Sequence, residues 1–178
     1  MKSKSSTGRI SVRTLTLAAM LTALSVIIGI FCKNFLNFGN GLFRITFENL
    51  PILLAGISFG PLIGALVGAA SDLISYLLST QVYPPNLIVT AGAAAIGATA
   101  GLVARLFPRQ ESLRVVLATA TAHLVGSMII KTFGLYQYYG ILVLWRIPLY
   151  TVIASLEIFV LCRLCRRGIL RRLTAQTR

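Results

Sequence analysis

In Gly60-Pro-Leu-Ile-Gly-Ala-Leu-Val-Gly-Ala-Ala-Ser-Asp72, the residues Gly60, Gly64, Gly68 and Asp72 recur at every fourth position. That spacing aligns them on one face of a helix. Glycines on a shared face let a neighbouring backbone approach closely. The acid in line with them lies in an otherwise apolar segment. An acid at the centre of a bilayer costs roughly 2.5–3.5 kcal/mol on insertion scales, so it faces a partner or a cavity rather than lipid. The stretch therefore predicts closely packed membrane helices with a polar site between them.

Composition points the same way. Of the 178 residues 56% are hydrophobic and 12% charged, with a mean hydropathy of +0.83. A soluble domain carries about 25% charged residues. The length leaves room for several spans of about 20 residues and short loops, so residues 1–178 read as a single integral membrane domain. A net charge of +13 would suggest nucleic acid in a soluble protein. Here the bases cluster at span ends, where they act as topology signals and lipid headgroup contacts, and no nucleic-acid partner is expected. The Ser- and Lys-rich segment Met1–Gly8 precedes an apolar run, Thr14–Cys32, that is too long for a signal-peptide core and reads as a retained first span.

The predicted fold class is an all-α membrane protein, a six-transmembrane-helix bundle with cytoplasmic N- and C-termini. Its spans fall at about 14–32, 46–59, 62–79, 87–105, 114–132 and 145–163. The second and third runs, uncharged from Leu50 to Ser71, would merge into one span but for two arguments. With six spans, thirteen of the 17 Lys and Arg fall inside, in the groups Lys2–Arg13, Arg105–Arg114 and Arg163–Arg178, and only Lys33, Arg44, Lys131 and Arg146 remain outside. Merging the runs reverses that asymmetry, against the positive-inside rule. Gly60-Pro61 also favours a break, because the residue before proline is biased away from helix. The second span is short, with a possible backward extension through Phe43–Asn49. The fourth carries Ala93, Gly97 and Gly101 at four-residue spacing, a second close-packing face.

Four acids could carry chemistry: Glu48, Asp72, Glu111 and Glu157. Glu111, beside Arg109 and Arg114, reads as solvated, and Glu157 as a structural hydrogen-bonding group. Asp72 is either part of a binding site or a tie from helix three to a neighbour. Around its level lie Arg44, Glu48, Tyr76, Tyr83, Asn86, Lys131, Tyr136, Tyr138, Trp145 and Arg146. Single aromatic residues at span ends are interface anchors. Cations, a carboxylate and rings together suit a flat, hydrogen-bonding, partly anionic ligand, with its ring among Asp72, Tyr76, Trp145 and the Tyr83 loop and its carboxylates near Arg44, Lys131 or Arg146. His123 reads as a satisfied buried imidazole, and a lone histidine builds no metal pair. Cys162 and Cys165 form a C-x-x-C on an apolar helix end with no second ligand pair. Ala19-x-x-x-Ala23 forms a small-residue notch, suited either to packing within the bundle or to docking on a separate membrane subunit. Motifs for metalloprotease, serine hydrolase or P-loop chemistry do not occur, so neither an enzyme nor a resident metal or cofactor is expected. Uphill movement of a solute would then need another subunit or an ion gradient.

The pattern Arg44-Ile-Thr-Phe-x-x-x-Pro51-Ile-x-Leu-Ala55-Gly56-x-x-Phe59-Gly60-Pro61-x-x-Gly64-x-x-Val67-Gly68-x-x-x-Asp72-Leu resembles the substrate-binding S components of energy-coupling factor (ECF) vitamin transporters, folate-type members above all. The likeness includes Ala19-x-x-x-Ala23 and the six-span layout. It implies a multi-pass protein of the bacterial plasma membrane that binds folate or a close relative from outside. It further implies partnership with a transmembrane T component and two cytoplasmic ATPases, with Ala19 and Ala23 facing the T component. The other readings are an S component for another vitamin or precursor, and a polytopic scaffold or lipid-modifying enzyme.

Overall fold

The computed structural model describes residues 11–38, 43–78, 86–107 and 110–168, with backbone alone at 37–38 and 43–44. Helix α1 (Val12–Phe35) leads into a ribbon of two-residue strands, β1 (Asn37–Phe38) and β2 (Phe43–Arg44), paired antiparallel. Helices α2 (Asn49–Phe59), α3 (Pro61–Leu78) and α4 (Leu87–Leu106) follow. The last stretch is helical throughout: α5 (Glu111–Ala122), a π-helical segment (His123–Lys131), α6 (Thr132–Tyr139), a 3-10 turn (Gly140–Trp145) and α7 (Arg146–Arg166).

By length and composition, α1, α3, α4 and the run Glu111–Arg166 can each cross a membrane. That 56-residue run would extend about 84 Å if straight, far beyond a hydrocarbon core of about 30 Å. It turns back instead. Cys165 Sγ meets Glu111 Oε2 at 3.6 Å and His123 meets Glu157, so α7 lies antiparallel to α5. Gly140, at φ 55°, supplies the left-handed backbone for the reversal. Large apolar side chains such as Met20, Ile27, Phe31, Leu66, Phe133 and Phe159 stand exposed along the helices. A surface of this kind belongs in lipid, and the protein is a membrane helical bundle.

Short α2 is the hub, with every residue from Pro51 to Ser58 buried. It starts at Asn49, later than the expected backward extension through Phe43, and two observations account for that. Phe43–Arg44 is committed to the ribbon, and Ile45 N–H bonds Leu36 O at 3.2 Å. Pro51 lies in the first helical turn, where a missing N–H costs nothing. At the far end Gly60, at φ 100°, stops the helix ahead of Pro61. Arg114 donates to Ile57 O at 2.9 Å, which satisfies a carbonyl in the last turn of α2, and the Arg105 guanidinium lies against Gly60.

The two predicted small-residue faces meet each other. A Cβ on Gly64 would overlap the Gly97 carbonyl, and one on Gly97 would overlap that of Gly64. Gly68 lies against the Ala93 carbonyl and Gly101 against Gly60–Pro61. Helices α3 and α4 thus pack backbone to backbone in antiparallel register. The bundle has two ends: one with Arg105, Arg114 and the α2–α3 turn, the other with Glu48, the ribbon and Gly140.

Candidate functional site

Glu48 precedes the first turn of α2 and is only 7% exposed. Its backbone carbonyl accepts from Ser25 Oγ of α1 at 2.6 Å, which anchors the turn. Its carboxylate lies over Gly29, where a Cβ would stand 2.7 Å from Oε2 and 3.2 Å from Ser75 Oγ of α3. Glycine at position 29 makes the room that this acid occupies.

Lys131 reaches the same spot from the end of the π segment. Its stem crosses Gly92 of α4, where a Cβ would come within 2.7 Å of Cγ. Its Nζ stands 3.8 Å from Glu48 Oε1 and 3.4 Å from Asn49 Oδ1. Charge-assisted bonds run at about 2.7–2.9 Å, so the ammonium is shared loosely between two acceptors and keeps the capacity to take another. A buried carboxylate and ammonium are costly to desolvate, and their pairing is weak evidence for stability. In a membrane bundle, buried ionisable groups of this kind are where a binding site is sought first.

Lys131 ends the π-helical segment, where His123, Ser127 and Lys131 recur at four-residue spacing and are all buried. Beneath the pair, His123 Nδ1 stands 3.1 Å from Ser127 Oγ and Nε2 stands 2.5 Å from Glu157 Oε2. An imidazole that donates from Nε2 to Glu157 accepts the Ser127 hydroxyl proton at Nδ1, and both ring nitrogens are satisfied. Glu157 Oε1 and Thr119 Oγ1 are buried without a partner.

Asp72 is half-buried and accepts from Thr90 Oγ1 at 2.7 Å. Asn86 caps α4 through Ile88 N–H at 3.0 Å and donates to Gly134 O at 2.7 Å, which ties α4 to α6. Tyr76 is half-buried on α3. Arg146 is 3% exposed, with its guanidinium 5.3 Å from the Tyr150 ring centre. Trp145, its neighbour, is 67% exposed, so the interior receives Arg146 and not the expected indole. Consecutive helical residues point about 100° apart, and at the start of α7 the bundle interior lies on the Arg146 side. The Arg44 side chain and Tyr83 lie outside the described residues. Asn49, Ser25, Ser75 and Ser127 join the buried polar group although no motif pointed to them. Asn49 sat in plain view beside Glu48 at the head of an uncharged run. Glu111, expected in solvent, is half-buried against Cys165.

A family model described as ECF transporter, substrate-specific component, matches residues 13–173. The chain belongs to that family. It is a transporter substrate-binding subunit. Among solved structures it is similar to FolT bound with folic acid, with a TM-score of 0.65 and 23% identity over 84% of this chain and 90% of that one. At that identity the likeness establishes a shared fold. No curated protein sequence matches it. In this ECF substrate-specific component Ala19 and Ala23 both lie on the exposed side of α1, while Ala18 on the other side is buried.

Proposed function

We propose that this S component binds folate or a close relative at the Glu48 end of the bundle. We further propose that it crosses the bacterial plasma membrane six times, with both termini in the cytoplasm and the Glu48 end outside. The observation that carries the reading is the buried, loosely paired Glu48–Lys131 ion pair with Asn49 beside it. A pterin edge presents an amine and a ring N–H side by side, which one carboxylate accepts in two parallel bonds. Such charge-assisted bonds are worth about 1.5–3 kcal/mol each. Glu48 takes that edge, Asp72 and Tyr76 flank it from α3, and Arg44, Tyr83 and Asn86 border the site. Folic acid in the structurally similar FolT supports this substrate class.

Delivery requires a T component and two cytoplasmic ATPases, since the sequence has no nucleotide-binding motif of its own. Ala19 and Ala23 form the docking notch. The test is reconstitution of the chain alone in liposomes. It binds folate but does not accumulate it, even with ATP enclosed. Accumulation driven by a proton or sodium gradient would instead make it a secondary carrier.

A further inference from the structure

Arg146 begins α7 with its side chain inside the bundle, 3% exposed. Its Nε is buried without a hydrogen-bond partner, and among the described residues no carboxylate pairs with it. Its one resolved interaction is the face of Tyr150. The remaining buried charges are arranged otherwise: Glu48 faces Lys131 and Glu157 faces His123. Among the described residues the other buried cations, Lys33 and Lys131, each have a partner, and that of Arg146 is an aromatic face. An aromatic face attracts a cation but supplies no counter-charge, and a buried guanidinium left unpaired is strongly unfavourable. Its planar fork fits an oxyanion with two parallel donors, a geometry an ammonium does not offer.

We propose that Arg146 is the anion subsite of the substrate site. This rests on the substrate-binding reading above and deepens it: the guanidinium takes a carboxylate carried by the substrate, so this protein selects organic acids over their neutral counterparts. The same oxyanion chemistry occurs in a lipid phosphate, and the experiment separates the two sources.

The full chain is placed in nanodiscs of phosphatidylcholine, with or without phosphatidylglycerol. Binding is measured for p-aminobenzoylglutamate, its diethyl ester and hydroxymethylpterin. The diacid binds wild type more tightly than the diester does. Arg146→Gln weakens the diacid at least tenfold, abolishes the preference for acid over ester and leaves hydroxymethylpterin binding unchanged. Arg146→Lys keeps the charge without the fork and falls between; if Arg146→Gln does not fold, the lysine variant decides by a reduced acid-over-ester preference. Failure of the diacid to bind wild type overturns the proposal, as does equal diacid binding by the variants. An effect of Arg146 that tracks phosphatidylglycerol content and ignores esterification also overturns it, in favour of a lipid phosphate. Loss of hydroxymethylpterin binding by wild type would remove the pterin assignment alone, because the diacid arm still judges Arg146.

Discussion

Thr90 Oγ1 donates to Asp72 Oδ2 at 2.7 Å, closing at the Glu48 end the seam that Gly60, Gly64 and Gly68 form with Gly101, Gly97 and Ala93. The acid in line with the glycines is therefore a seam residue, held by the helix that the glycines bring near. No hydrogen bond occupies its Oδ1 among the described residues. One oxygen ties α3 to α4, and in the proposed site the other accepts a ligand N–H.

Asp72→Asn separates these roles, because the amide keeps a carbonyl acceptor for Thr90 but loses the charge. We expect a folded variant with folate binding at least tenfold weaker. Thr90→Val removes the tie and should lower stability by about 0.5–1.5 kcal/mol, with a smaller effect on binding. Titrations and thermal melts of both variants check this. Full-strength binding by Asp72→Asn would leave Asp72 as a helix tie only.

The Gly64–Gly97 contact gives a second expectation. A methyl group at either position meets a backbone carbonyl, which cannot swing aside as a side-chain tip can. Gly64→Ala or Gly97→Ala should cost about 1–3 kcal/mol through forced separation of α3 and α4. A melting temperature equal to wild type would show that the seam is looser than its geometry.

Features encoded by local spacing were legible in the sequence. The glycine stripes of α3 and α4, the stop at Gly60–Pro61 and the apolar runs all follow from period and composition. The ribbon was not legible, because two-residue strands carry no alternation. Nor was the π segment, since nothing in His123–Lys131 distinguishes i→i+5 from i→i+4 bonding. Burial of His123 and a hydrogen bond at Glu157 were foreseeable, but their pairing joins residues 34 positions apart. Asn49 and Lys131 are 82 apart. Contacts of that range depend on helix packing that no local pattern records. Trp145 and Arg146 were equal candidates by type, and helical phase alone separates them.

Docking through α1 gives a third prediction. Ala19 and Ala23 are exposed, and a bulky residue there touches little within the chain. Ala19→Trp or Ala23→Trp should abolish uptake by the assembled transporter, yet change folate affinity less than twofold. Loss of binding together with uptake would place the alanines in the internal packing of the bundle.

Topology is tested by thiol labelling of intact cells, in a background lacking the three native cysteines. A cysteine at Tyr83 or Pro85 should react with a membrane-impermeant reagent and one at Arg109 should not. Labelling at Arg109 from outside would reverse the proposed orientation and put the Glu48 end in the cytoplasm.

The central claim is that the Glu48 end is a folate-type substrate site, and calorimetric titration of the purified protein with folic acid tests it most directly. Wild type should bind one molecule per chain, and Glu48→Gln, which keeps the shape but not the charge that Lys131 and a pterin edge share, should bind at least tenfold more weakly. Absence of folic acid binding by folded wild type, or equal affinity in Glu48→Gln, would contradict the account.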